Sequence, residues 1–390
     1  MTAPTGSLWF DNICIAILAA QRAIVKIQAA IARTPEDPYT IESCDLSEPG
    51  ADEVLVEVHA CGICHTDMSV KAGKLPVEFP AVLGHEGAGV VLKTGSNVGH
   101  VKVGDHVSMS FGHCGSCSWC HSGEPAYCEE FAFRNFVGLD PRSTPTHHQD
   151  DQPIHGRFFS QSSFATHAIS KGTNTVKIDS DMPFHLAAPL GCGIQTGAGA
   201  ILNVLKPEAK HSIAVFGTGA VGLSAVMAAK IANCREIVAI DLNPARLKKA
   251  ESLGASLTID ASKEDPLEII STKFPNLLDF IFETSGSSKV SETAFNCLGR
   301  RGMGAYVSAP PLGTGFNVDI NYLVAFGRTL RGVIEGDSKP SEFIPELINY
   351  YKRGLLPLEE IVTTYEFSDI NEAVAAAKSG DVVKPVLLMQ

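Results

Sequence analysis

Gly217-Thr-Gly219-Ala-Val-Gly222 is the feature that most narrows what this chain can fold into. It follows the short apolar run Ser212-Ile-Ala-Val-Phe216 and opens an apolar stretch of helical character that reaches about Asn233. Between a strand and a helix, the first glycine permits the tight turn and the second lets the backbone approach a pyrophosphate. The third lets the helix pack closely on the strand. The helix start then offers free N–H groups and the positive end of its dipole to phosphate. Asp241 stands 19 positions after Gly222, at the end of the next strand, Glu236-Ile-Val-Ala-Ile-Asp241. A carboxylate there accepts hydrogen bonds from ribose hydroxyls and repels a 2′-phosphate, so NAD is expected over NADP. Arg246 is expected beside the adenosine ribose, with a plain surface arginine as the competing reading. The rival for the whole motif is a glycine-rich turn that holds nothing.

The alternation continues through a helix at Pro244 to Leu253, a strand near Leu257 and the strand Leu278-Asp-Phe-Ile-Phe-Glu283. Strands alternating with helices predict parallel βαβ units, hence an α/β doubly wound sheet. A helix over Phe343 to Tyr351 and a closing strand over Lys384 to Met389 complete this part. The text before it differs. From Ile27 to about Ser110 it is strand-like, with turn glycines at 73, 84, 95 and 104, and Glu53 to His59 alternates as a half-buried strand does. This predicts a β-rich domain. Residues 134–163 are polar, with Pro141, Pro145 and Pro153, and read as a loop; its His147, His148 and His155 are left unassigned, solvated surface being the commoner reading than a metal site for a histidine pair in such a stretch.

Length supports two or three domains in 390 residues. The net charge of −12 argues against a nucleic-acid surface, which would be basic. Ile13 to Ala20 is apolar but far shorter than the roughly 20 residues of a membrane span, and no basic start precedes it as in a secretory signal. Residues 1–26 are therefore read as an extension outside the core, with an amphipathic helix as one form.

Cys114, Cys117, Cys120 and Cys128 place four thiols within fifteen residues. Such a set closes around one tetrahedral zinc and leaves no position for substrate, so the lobe is structural. Cysteines 14, 44, 61, 234 and 297 show no disulfide-like spacing, which favours a reduced, cytoplasmic compartment. A nicotinamide enzyme also needs a group to polarise oxygen. Cys64, His85 and Cys192 can form a three-ligand zinc with an open fourth position. On spacing alone, Cys61 and Cys64 as a redox pair, or as buried core thiols, stand level with that reading.

Together, Cys64-His-Thr-Asp67, Gly84-His-Glu86, the four-cysteine lobe, Gly191-Cys-Gly-Ile-Gln-Thr-Gly197 and the Gly217 to Gly222 turn resemble the zinc-dependent medium-chain alcohol dehydrogenases. The likeness runs from about Ile27 onward. Leu75 to Gly89, Phe159-Ser-Gln-Ser-Ser-Phe-Ala165 and Gly332-Val-Ile-Glu-Gly-Asp337 are similar to the aryl-alcohol branch, which interconverts aromatic or allylic primary alcohols and aldehydes with NAD. The resemblance implies a GroES-like catalytic domain over 27–193 with the zinc lobe at 112–130. It further implies a Rossmann domain over 194–334, and a return to the catalytic domain over 335–390. By position it makes Cys64, His85 and Cys192 the catalytic zinc ligands, Glu86 a carboxylate able to approach the metal, and Asp67 the group that orients His85. Thr66 takes the substrate proton, His65 and Lys384 lie near the pyrophosphate, and Thr196 lies against the nicotinamide. Where many relatives end the proton relay in a histidine, this chain has Ser69, so either Ser69 with water or His65 carries the proton onward. Two zinc ions per chain, NAD, a small alcohol or aldehyde and a homo-oligomer (dimer or tetramer) are implied, with no nucleic acid and no membrane. The competing readings are an aldehyde reductase of a secondary-metabolite pathway on the same fold, a non-catalytic zinc-binding relative, and a zinc-ribbon module for a macromolecule.

Overall fold

The computed structural model describes residues 24–137, 145–308, 310–311 and 313–389. Residues 1–23 of the expected extension lie outside them, as does Pro141 of the expected loop, whereas Ile24, Val25 and Lys26 belong to the strand Ile24–Ala32 and so to the fold, not the extension.

Six parallel strands form the nucleotide-binding layer. Their order is Leu257–Asp260, Glu236–Asp241, Ser212–Phe216, Leu278–Glu283, Leu298–Tyr306 and Thr329–Gly332. Chain order reverses between Ser212–Phe216 and Leu278–Glu283, and the crevice at the carboxyl ends of those two strands is where doubly wound sheets take their ligands. The Ser212–Phe216 strand is buried along its whole length, as expected for a strand covered on both faces. The helix after the glycine turn is Ala220–Ile231, two residues shorter than expected. Asn233 turns into the left-handed region at φ 56°, which ends the helix before the next strand.

The first part of the chain is β-rich. Seven strands pair in one sheet, centred on Glu53–Gly62 between Glu86–Thr94 and the carboxy-terminal strand Lys384–Leu388. Val386, Leu387 and Leu388 pair antiparallel with Gly62, Cys61 and Ala60, so the end of the chain lies against the segment that leads to Cys64. Glu53–Gly62 is buried on both faces, where alternation predicts half-burial. Glu53 is accommodated there by ion pairs with Arg157 and Lys171 at 2.7 and 3.0 Å.

A second, five-stranded sheet corrects the reading of 134–163. His147–Gln149 and Gln152–Ile154 form a hairpin that extends the sheet beyond Thr40–Ser47. Asp150 and Asp151, both at positive φ, make its two-residue turn. His147 is fully buried and His155 nearly so, not solvated. Desolvation pulls their imidazoles down to about 3 and about 4. The late helix spans Pro340–Lys352, with Pro340 in its first turn, where a missing N–H costs nothing.

Among the described residues no single helix is long and apolar enough to cross a membrane. The bent pair Phe184–Gly191 and Gly193–Leu205 passes by composition, but most of its side chains are buried in the protein core.

Candidate metal centre and cofactor cleft

Cys64 lies two residues beyond the Glu53–Gly62 strand and is the N-cap of the helix His65–Lys71. Asp67, in that helix's first turn, holds three elements at once. Its Oδ2 accepts from the Cys64 N–H at 2.9 Å, while Oδ1 accepts from the Gly84 N–H at 3.1 Å and meets His85 Nδ1 at 2.9 Å. With Nδ1 taken as donor, the His85 lone pair is forced onto Nε2. That Nε2 is buried and has no hydrogen-bond partner. Phe159, at φ 50°, stacks on the same imidazole at 4.3 Å and fixes its plane.

The donor atoms of Cys64, His85, Glu86 and Cys192 lie within 4.8 Å of one another. An orphaned imidazole nitrogen facing two thiols is the chemistry zinc satisfies, so these residues fit the ion. Cys64 is held well below the usual thiol range, chiefly by the hydrogen bond from Cys192, with His85 adding to it against burial. Cys192 is pushed up by the same bond and by burial.

Glu86 is placed differently from a free carboxylate. Lys384 Nζ bonds both its oxygens at 2.8 Å, and Oε1 also accepts the Gly193 N–H at 3.0 Å. Lys384 spends its third proton on the Ile63 carbonyl at 3.1 Å and is buried. The ammonium is turned to the metal cluster, where it offsets negative charge. Thr66 places its hydroxyl 3.8 Å from Cys64 Sγ. His65 is exposed, and no direct hydrogen bond joins Thr66 to His65 or Ser69.

The second cluster is the lobe. Sulfur–sulfur distances are 3.8 Å for Cys114 to Cys120, 3.5 Å for Cys117 to Cys120 and 4.0 Å for Cys117 to Cys128. Four sulfurs each about 2.3 Å from one ion would lie about 3.8 Å apart. The Ser116 and Cys117 N–H groups point at Cys114 Sγ, and those of Cys114 and Glu130 at Cys128 Sγ. Burial opposes ionisation of Cys114, but these donors bring it down to about 6. Cys117 is lowered as well, whereas burial pushes Cys120 up to about 12 and raises Cys128.

The glycine turn has the geometry its function requires. Gly217 sits at φ 91°, and a Cβ on Gly222 would come within 1.8 Å of the Gly217 carbonyl oxygen. Around Gly219, the N-cap of Ala220–Ile231, nothing lies within 4 Å of a built Cβ, so the helix start is open to a phosphate. Asp241 Oδ2 accepts from both the N–H and the hydroxyl of Thr218, at 2.6 and 2.8 Å, and Oδ1 accepts from the Asn243 N–H at 2.9 Å. Arg246 lies against Gly380, at the rim of this side of the sheet. Thr196 is on the helix Gly193–Gly199, whose Gly197 packs so tightly on Val221 that a Cβ would meet its carbonyl at 1.9 Å. That contact brings the metal cluster and the cofactor helix together.

Sequence reasoning missed Glu335. It is buried, with Oε1 3.5 Å from Cys192 Sγ and Oε2 accepting from Gln195 and Thr196 at 3.3 and 3.4 Å. Burial pushes its carboxyl up to about 7. The one available signal was the phrase Gly332 to Asp337, whose acid carries no local pattern of its own.

The comparisons with known proteins agree with this geometry. The alcohol dehydrogenase GroES-like domain matches residues 50–180, and the zinc-binding dehydrogenase domain matches residues 220–352. A geraniol dehydrogenase of Castellaniella defragrans is 38% identical over 367 residues, which is 93% of this chain and 98% of that protein. A benzyl alcohol dehydrogenase structure from Acinetobacter calcoaceticus superposes with a TM-score of 0.91 at 42% identity, covering 94% of this chain and all of that one. A zinc-binding alcohol dehydrogenase domain protein of Burkholderia ambifaria gives 0.92 at 42% identity, over 94% of this chain and all of the other. The chain belongs to the zinc-dependent medium-chain alcohol dehydrogenase family. It is accordingly an oxidoreductase that works with zinc and NAD, built from a GroES-like and a Rossmann domain.

Proposed function

We propose that this chain interconverts a primary aromatic or allylic alcohol and its aldehyde. The observation that carries the reading is the orphaned His85 Nε2, which faces Cys64 and Cys192 beside the helix that packs on the cofactor turn. The substrate class is supported by the geraniol and benzyl alcohol dehydrogenases among its relatives and by the aromatic wall of Phe158 and Phe159 against His85, with Phe136 packed on Phe159 behind it.

Cys64, His85 and Cys192 would hold the catalytic zinc, and the lobe thiols the second. When bound, zinc lowers the pKa of a hydroxyl at its open position and NAD accepts hydride from the alcohol carbon. Thr66 is placed to receive the hydroxyl proton, and from there it passes to solvent through water and the exposed His65 or the nearby Ser69. Asp67 keeps His85 in the tautomer that presents Nε2. Phe158 and Phe159 keep water from the imidazole. Lys384 balances the charge of two thiolates and Glu86. In the domain reading this supports, 27–193 and 335–390 supply the catalytic body and 194–334 the nucleotide layer.

A panel of benzylic, allylic and short aliphatic alcohols, followed by NADH formation at 340 nm, tests the substrate class. Benzylic or allylic alcohols should exceed ethanol by at least about a hundredfold in kcat/KM, as removal of an aromatic anchor from an apolar pocket would cost. Equal efficiencies would sink the aromatic reading. An aldehyde-only enzyme would leave the forward panel flat while still consuming NADH.

The cytoplasm is the proposed location, since both thiol clusters require reduced cysteine. Self-association is proposed through the sheet edge Thr329–Gly332, all four residues of which are exposed. Beside it Ile320, Tyr322 and Val324 of the helix Ile320–Phe326 are also exposed. An open strand edge next to apolar side chains is a natural pairing surface for a second copy. Val324→Asp should shift sedimentation to a smaller species; a wild-type protein that already sediments as a monomer overturns this assignment.

A further inference from the structure

The segment Gly332-Val-Ile-Glu-Gly-Asp337 is strained and wedged. Glu335, Gly336 and Asp337 all adopt positive φ, at 51°, 68° and 49°, and two of the three are not glycine. Non-glycine residues in that region cost energy and persist only where the surroundings hold them. Here the surroundings are visible. A Cβ on Gly336 would come within 2.3 Å of the Gln195 carbonyl oxygen, and one on Gly199 within 2.4 Å of the Gly336 carbonyl. Asn203 also donates to the Gly336 carbonyl at 3.1 Å. The loop is therefore pressed against the helix that begins at Cys192 and carries Thr196.

One end of the loop is tied to the four-thiol lobe. The hydroxyl of Tyr127, adjacent in sequence to Cys128, donates its one proton to Asp337 Oδ1 at 2.7 Å, with the Gly332 carbonyl 3.2 Å away as the alternative acceptor. Arg331 closes the other side of Asp337 at 2.6 Å. The other face of the loop delivers Glu335 to Cys192, Gln195 and Thr196.

We propose that the four-thiol lobe acts on the catalytic centre through this loop: Tyr127 holds the loop by its hydrogen bond to Asp337, and the held loop makes Glu335 a positioning residue for Cys192 and Thr196. The inference rests on the zinc and NAD reading given above. It gives the lobe a task beyond its own local order.

The test is a double-mutant cycle on the zinc-loaded enzyme with Tyr127→Phe, Glu335→Ala and their combination, with Glu335→Gln as the conservative control. Steady-state kcat and KM are measured beside the rate at which a chromogenic chelator withdraws zinc. Glu335→Ala should lose about 10- to 100-fold in kcat and release one zinc faster, the usual cost of removing a group that supports a metal ligand. Glu335→Gln should recover most of this, because its amide oxygen still accepts from Gln195 and Thr196. Tyr127→Phe should lose about fivefold in kcat, as one hydrogen bond is worth, while keeping both zinc ions and a wild-type alcohol KM. The double variant should be no worse than Glu335→Ala alone, since coupled residues are not additive. Losses that multiply, a Tyr127→Phe enzyme with wild-type kcat, or a Glu335→Gln enzyme as impaired as Glu335→Ala would each overturn the proposal. A wild-type protein without zinc or turnover overturns the underlying assignment instead.

Discussion

Cys64→Ser is expected to yield a folded protein that carries one zinc instead of two and turns over at least about a thousandfold more slowly, roughly 4 kcal/mol of lost transition-state stabilisation. The fold should survive because serine is itself a good N-cap, and the Cys64 N–H bond to Asp67 depends on backbone alone. What serine cannot supply is a thiolate ligand, since its hydroxyl does not ionise near neutral pH. Cys117→Ser makes the opposite case. Its sulfur stands 3.5 and 4.0 Å from those of Cys120 and Cys128, so its loss opens the lobe and leaves the Cys64 cluster intact. Here the first change should be a lower melting temperature and easier proteolysis near 112–130, because metal binding and local folding are linked. Zinc analysis and thermal scans on the two variants read both effects. If Cys117→Ser kept full stability and lost only turnover, the structural and catalytic roles would have been assigned to the wrong clusters.

Features confined to a short stretch were legible in the sequence. The glycine turn with its acid, the four lobe thiols, and the Cys64 to Asp67 segment each put their chemistry within a few residues of one strand or helix end. Local geometry alone then brings the groups together. Lys384 and Glu335 were not legible in this way. Lys384 meets Glu86 across 298 positions, and only the pairing of Lys384–Leu388 with Glu53–Gly62 brings it there. Glu335 meets Cys192 across 143 positions, through a loop whose positive φ angles leave no signal in residue type. The His147–Gln149 hairpin was hidden for another reason. Its strands are three residues long, polar, and carry Pro153 on an outer strand, where a missing N–H is tolerated. Its histidines are buried by the sheet they extend, which no alternation in their own stretch records.

Asp241 should decide the cofactor, and the structure gives it two tasks that one substitution separates. Its Oδ2 braces the glycine turn through Thr218, and Oδ1 caps the next turn through the Asn243 N–H. In Asp241→Asn the side chain keeps its shape but offers one acceptor where two backbone N–H groups require one each. A stability loss of roughly 1 kcal/mol follows from the donor left without a partner. The lost charge acts on ligand choice. Ribose hydroxyls lose a charged acceptor, about 1.5–3 kcal/mol, and a 2′-phosphate no longer meets a negative neighbour. The ratio of kcat/KM for NAD to that for NADP should therefore fall by about two decades, most of it through KM for NAD. The two cofactors are compared at one fixed alcohol concentration, with a thermal scan alongside. A wild-type enzyme that prefers NADP, or a variant whose ratio is unchanged while its melting temperature falls, would mean that Asp241 only braces the turn. In that case the choice between the two cofactors would have to come from other groups at the rim of the cleft, with Arg246 the first candidate to favour a 2′-phosphate.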